Sequence, residues 1–169
     1  MKLVESIKSQ GVVLPLAIIR IMLGFMLLWA FFDKMFGLGY ATKAGSGMID
    51  GGSPTYGFFN YASDTFQFLT SYSDILDVVI MIAFLLIGVT LILGIGMKIS
   101  TAAGALLFFL MYISLFPPVT PGSNNPILDE HLIFIFALMA IQMTSAGDYL
   151  GLGKWWKKQS IVKRFPLLE

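Results

Sequence analysis

The sequence predicts an all-α integral membrane protein, a four-helix bundle with an amphipathic helix lying at the interface in its first external loop. Three observations carry this. Hydrophobic residues make up 57% of the 169-residue chain, and charged residues only 12%. Soluble domains average about 25% charged residues, so this chain has too few charges to cover a water-facing surface. The mean hydropathy is +0.82, and the apolar residues gather into long runs. Those runs are each near the roughly 20 residues needed to cross a hydrocarbon core, too long for strands.

The first span is expected at about 11–36, the second at 75–96, the third at 99–116 and the fourth at 127–146, within one domain covering 1–169. The first run is too long for a cleaved signal peptide and is read as a retained helix. Small residues recur where helices would meet: Gly24 in the first, Gly88, Gly94 and Gly96 in the second, and Ala102 to Ala105 around Gly104 in the third. Such positions let backbones approach closely in lipid. An up-down-up-down bundle follows.

Between the first two spans lies the connection 37–74. Its first half is glycine-rich and expected to be irregular. Its second half, YGFFNYASDTFQFLTSY, places Phe58, Phe59, Ala62, Phe66 and Leu69 at helical spacing, which predicts the interfacial helix; an aromatic belt at the outer interface is the favoured role for it, and a lid over the bundle the alternative.

Positive charge sets the orientation. Lys2 and Lys8 precede the first span, Lys98 falls in the tight second turn, and Lys154, Lys157, Lys158, Lys163 and Arg164 follow the fourth. Both termini, with the tail 147–169, are therefore expected on the cytoplasmic side of a prokaryotic inner membrane. The tryptophan-bearing tail suits the surface of an anionic leaflet.

Composition also limits function. The net charge of +1 gives no footprint for nucleic acid. With no cysteine and one histidine, the chain by itself has no ligands for a disulfide, an iron–sulfur cluster or a bis-histidine haem. Any redox chemistry would use an organic cofactor or a partner.

Ionisable residues fall at two levels. Arg20 lies deep in the first span, where it is expected to tie helices together through Ser100, Thr101, Gln142, Thr144, Ser145 or Asp148; it is also retained as a ligand-binding candidate. Asp33, Lys34, Asp77, Asp129, Glu130 and His131 are expected in one layer at the opposite end. Four carboxylates facing one lysine and one histidine would repel, so at least one should bind its proton more tightly than an isolated acid, a property suited to proton uptake or release. Helix capping competes with this reading: Asn125 is a natural N-cap with Pro126 behind it, and acids in an opening turn complement the helix dipole. One histidine among carboxylates matches no strong metal motif, and no metal site is assigned.

Three patches resemble the DoxX/DoxD family of small four-helix membrane proteins. RIMLGFMLLWAFFDKMFG is similar to the family's first span through Arg20, Leu23, Gly24 and Lys34. LIGVTLILGIGMKISTAAGALLFFLMY resembles its glycine run, basic turn and alanine-glycine stretch. SNNPILDEHLIFIFALMAI, followed by AGDYLGLGKWW, resembles its last span and closing motif most specifically. Ala30-Phe31 stands where the family usually has a glycine, and Gly153 where it has an acid.

The resemblance implies a membrane subunit of a quinone-linked oxidoreductase, with thiosulfate or a related reduced sulfur compound as candidate substrate and a second subunit or soluble redox protein as partner. His131, Lys34 and Tyr112 would then donate to the quinone carbonyls, and Asp129, Glu130 and Asp77 would relay protons. Two rival readings are a non-enzymatic scaffold that anchors soluble redox proteins through the basic tail, and a small transporter or lipid-binding module.

Overall fold

The computed structural model describes residues 2–116, 125 and 127–169, and the surroundings of side chains from Gly11 onward. Asn124 and Pro126 lie outside the described residues, as do the side chains of Lys2 and Lys8. The described residues contain helices and turns but no strand. The longer helices are α1 (Lys2–Phe36), α3 (Ser73–Leu93), α4 (Met97–Ser114) and α5 (Glu130–Met143). Shorter ones are α2 (Tyr56–Asn60) in the first connection and α6 (Gly153–Trp156) and α7 (Ser160–Arg164) in the tail.

Three stretches are helical, long and apolar enough to cross a membrane: Gly11–Phe36, Gln67–Leu93 and Met97–Ser114. Their outward faces carry exposed Met22, Phe25, Val79, Leu86, Leu106 and Phe109. Length and composition are those of a membrane protein. The predicted fourth span is shorter than expected. α5 has 14 residues, about 21 Å at 1.5 Å per residue.

At its start the reason is a contest between two caps. Asn125 was expected to start the helix, but its Oδ1 accepts from the N–H groups of Ile127 and Leu128 and closes a turn. Asp129 is the N-cap, accepting from the N–H groups of His131 and Leu132. The helix therefore begins at Glu130.

α1 packs on α3, α3 on α4, α4 on α5 and α5 back on α1. The α1–α3 crossing is a backbone contact. A Cβ on Gly24 would stand 2.9 Å from the Gly88 carbonyl oxygen, and one on Gly88 would stand 3.0 Å from that of Gly24. Leu23, Leu27, Met81, Phe84, Leu91, Phe108, Leu138 and Ile141 fill the centre. Polar ties join α3 to α4 through Ser100 and Thr90 (2.6 Å) and α4 to α5 through Thr101 and Gln142 (3.3 Å).

The first connection departs from the expected single amphipathic helix. Its second half breaks into α2 and a 3-10 turn, Gln67–Tyr72, that runs into α3. The break comes where the Ser63 N–H leaves the local helix to donate to Ser114 O at the end of α4 (2.8 Å). Phe59 and Ala62 are buried beneath it.

The tail is not a free basic arm. Leu152 N–H donates to Leu93 O, Lys98 N–H donates to Glu169 O, and Lys98 Nζ reaches Glu169 Oε2 at 2.9 Å. Val162 is buried by this docking, while Trp155 and Ile161 face outward.

Candidate functional site

The predicted site residues divide between two ends of the molecule. Arg20 stands at one end, beside the C-terminus of α3. Its guanidinium is fully buried and donates to the carbonyls of Leu91, Ile92, Tyr149 and Leu150. These are not the side chains expected from sequence. Gln142 pairs with Thr101, the Thr144 hydroxyl donates within its own helix, and Asp148 holds Lys157.

The physical cause is the end of α3, whose last four carbonyls lack intrahelical donors. Thr90 O accepts from the N–H groups of Gly94 and Ile95, Arg20 supplies Leu91 and Ile92, and Leu93 O accepts from Leu152 N–H. A guanidinium presents five donors in a fixed fork, which suits it to several carbonyl acceptors at once. The chain bends to meet it. Leu150 has φ 52, a left-handed conformation costly for a leucine, and Gly94 has φ +71.

Asp77 lies on the same helix 14 residues before Leu91, about 21 Å away by helical rise. Arg20 therefore does not join the predicted ligand set at the other end.

At that other end, Asp33, Asp77 and Asp129 each have hydrogen-bond partners of their own. Asp33 is 2% exposed and accepts from the N–H groups of Tyr40 (3.2 Å) and Thr42 (2.9 Å). Asp77 is buried and accepts at one oxygen from the N–H (2.7 Å) and hydroxyl (2.6 Å) of Thr55. Asp129 caps α5, and Glu130 is exposed in its first turn. Lys34 Nζ donates to Pro54 O at 3.2 Å and lies in the field of both Asp33 and Asp77. The Tyr112 hydroxyl, expected to serve a ligand, donates to Ile127 O at 2.7 Å and joins α4 to the approach of α5.

One pair keeps chemical capacity. Asp129 Oδ2 meets His131 Nδ1 at 2.7 Å. His131 is 8% exposed, with its ring centroid 6.1 Å from Phe108 and 6.5 Å from Phe134. The same carboxylate that starts the helix thus orients the imidazole, leaving Nε2 as the other proton-exchanging atom. Among the described residues, no three of His, Cys, Asp and Glu lie close enough together to hold a metal.

Two cavities complete the picture. One, of about 70 Å³, lies at the Arg20 end beside Lys98, Gln142, Asp148 and Trp156. The other, of about 550 Å³, lies under the first connection and includes Lys34. Sequence reasoning missed the Thr55–Asp77 contact, for which a lone threonine in a glycine-rich loop gives no signal. Lys43 also lines the larger cavity, and no motif around it in the sequence marks it.

Searches against family models, curated proteins and solved structures found no match to this chain.

Proposed function

We propose that this chain is a membrane subunit of a quinone-linked oxidoreductase of the DoxX/DoxD type, in which α1, α3, α4 and α5 form a four-helix bundle across a prokaryotic cytoplasmic membrane. Both termini face the cytoplasm in this reading, consistent with the basic residues around Lys98 and along the tail. The carrying observation is the nearly buried Asp129–His131 pair set against Phe108 and Phe134. An aromatic, almost dry wall with one oriented imidazole fits a flat apolar ring bearing carbonyl acceptors. A bound quinone would accept two electrons and two protons.

In this arrangement His131 supplies the donor and proton-exchanging nitrogen, and Asp129 is its positioning residue. Glu130, exposed one residue away, exchanges protons with solvent. Asp33, Asp77, Lys34 and Tyr112 hold walls and helix ends rather than the reacting atoms. Electrons come from outside the chain, from a reduced sulfur compound such as thiosulfate acting through a second subunit or soluble redox protein.

The test is quinone content and quinone reduction in protein purified gently from its own membranes. The expected result is a stoichiometric quinone lost in His131→Ala, with turnover reduced in Glu130→Gln. Absence of quinone from wild-type protein and its native complexes, with both variants growing normally on reduced sulfur, overturns the reading.

The scaffold reading draws on one observation of its own: the docked tail turns Lys154, Trp155 and Lys158 outward. A Lys154→Gln, Trp155→Ala, Lys158→Gln variant that loses its co-purifying redox protein while retaining quinone would favour it. Unchanged co-purification would exclude it.

A further inference from the structure

The larger cavity stands apart from the Asp129–His131 pair and is built by other elements: the end of α1, the first connection and the exit of α4. Its volume of about 550 Å³ falls in the ~300–1,000 Å³ range of small-molecule sites. Its lining includes two cationic side chains, Lys34 and Lys43, and no carboxylate among the described residues.

Buried acids nevertheless shape it from behind. Asp33 takes the N–H groups of Tyr40 and Thr42 and so fixes the loop that presents Lys43. Asp77 takes the N–H and hydroxyl of Thr55 and so fixes the opposite wall, which carries Ser53. Two stretches of the lining are thus tied to nearly dry carboxylates.

Among the described residues, these side chains keep donors beyond the bonds they make. Lys34 gives one N–H to Pro54 O, and an ammonium has three. The Ser53 hydroxyl oxygen accepts from Tyr56 N–H, which leaves its own proton to donate. Lys43 is exposed at its side chain, while its carbonyl is held by Ser46 N–H at 3.0 Å. Phe58, Tyr61 and Leu115 supply an apolar side, and Leu115 directly follows the membrane-length helix α4.

We infer that this cavity binds an oxyanion joined to an apolar group, with the anion held between Lys34 and Lys43 and the apolar part against Phe58 and Leu115. An anionic phospholipid of the surrounding bilayer and a free amphiphilic carboxylate share this chemistry. The site uses no residue of α5, so its failure and that of the quinone reading are separate results.

The experiment uses the full chain in the neutral detergent dodecyl maltoside. Binding of dioctanoyl phosphatidylglycerol and of octanoate is measured by calorimetry, with dioctanoylglycerol and octanol as uncharged counterparts. At least one anionic probe is expected to bind at one per chain, about tenfold more weakly in Lys43→Gln, with affinity restored in Lys43→Arg. Saturation by the phospholipid alone assigns a lipid source, and saturation by octanoate alone assigns a solute; either supports the site. Because Lys43 is exposed, its variants should melt with wild type, and a matched melting curve separates lost binding from lost fold. The inference is overturned if neither anionic probe binds, if the uncharged counterparts bind as tightly, or if Lys43→Gln binds as wild type does.

Discussion

At the Arg20 end main-chain carbonyls accept from one side chain, whose buried Nε has no partner among the described residues, whereas at the His131 end carboxylates accept from the main chain. Four carbonyls converge on one guanidinium at the first, and the backbone accepts a left-handed Leu150 to bring them there. At the second, Asp33, Asp77 and Asp129 each take backbone N–H groups and so fix a loop, a wall and a helix start. What remains there is a cavity of about 550 Å³ and an imidazole with one nitrogen spoken for. A buried ionisable group in a membrane protein is not a site by virtue of burial. The bonds left over after the backbone has been served decide that.

The largest expected effect lies at the Arg20 end. Arg20→Ala removes a buried cation and strands carbonyls at the end of α3 and in the following segment. The expected loss is about 3–5 kcal/mol of stability, read from unfolding in detergent. Arg20→Lys should recover only part of it, since a point ammonium cannot span the fork. Full recovery with lysine would break the contrast between the two ends.

Next is Gly94→Ala. The added Cβ would meet Gly147 O at 2.5 Å in a residue with φ +71, at an expected cost of about 1–3 kcal/mol. Gly11→Ala, where a Cβ meets nothing within 4 Å, should cause no loss in the same assay.

At the other end, Asp129→Ala should cost about 1 kcal/mol for the cap and release the His131 ring. Asp129→Asn sharpens the comparison. It keeps a cap of similar strength, so melting should stay close to wild type while quinone reduction falls. If both fall together, Asp129 is only a cap.

The smallest effect is at the tail. The Lys98 ammonium holds the Glu169 carboxyl below the usual glutamate range, first through the hydrogen bond and then through charge. A depressed folded-state value stabilises the protein above the unfolded glutamate value of about 4.3, and the contribution disappears as pH falls through the folded-state value. Wild type should therefore melt slightly above Glu169→Gln at neutral pH and equally with it in acid. The difference should be small because the pair is more than a third exposed.

The fold was legible where it depends on apolar length and small residues. The runs ending at Phe36, near Gly94 and near Ser114 mark the three membrane-length helices, and Gly24 with Gly88 marks a close crossing of α1 and α3. The start of α5 was harder to read because Asn125 and Asp129 are both good caps four residues apart, and tertiary packing chose between them. The broken interfacial helix depends on Ser63 reaching Ser114, a pairing across the fold that no local period records. Arg20 announced its need for partners, but main-chain carbonyls have no letter in a sequence. At the candidate site, the adjacency of Asp129 and His131 was visible. The partners of Asp33, Asp77 and Tyr112 were not, because those hydrogen bonds are made to main-chain groups brought close only by the fold.

The central claim is that the two ends divide the work, one holding the fold and the other the ligand chemistry. Its most direct test is quinone per folded chain by native mass spectrometry on wild type, Arg20→Lys and His131→Gln prepared alike. The account predicts one quinone in wild type and in whatever Arg20→Lys remains folded, and none in His131→Gln at an unchanged melting temperature. A His131→Gln protein that keeps its quinone, or a wild-type protein that carries none, contradicts it.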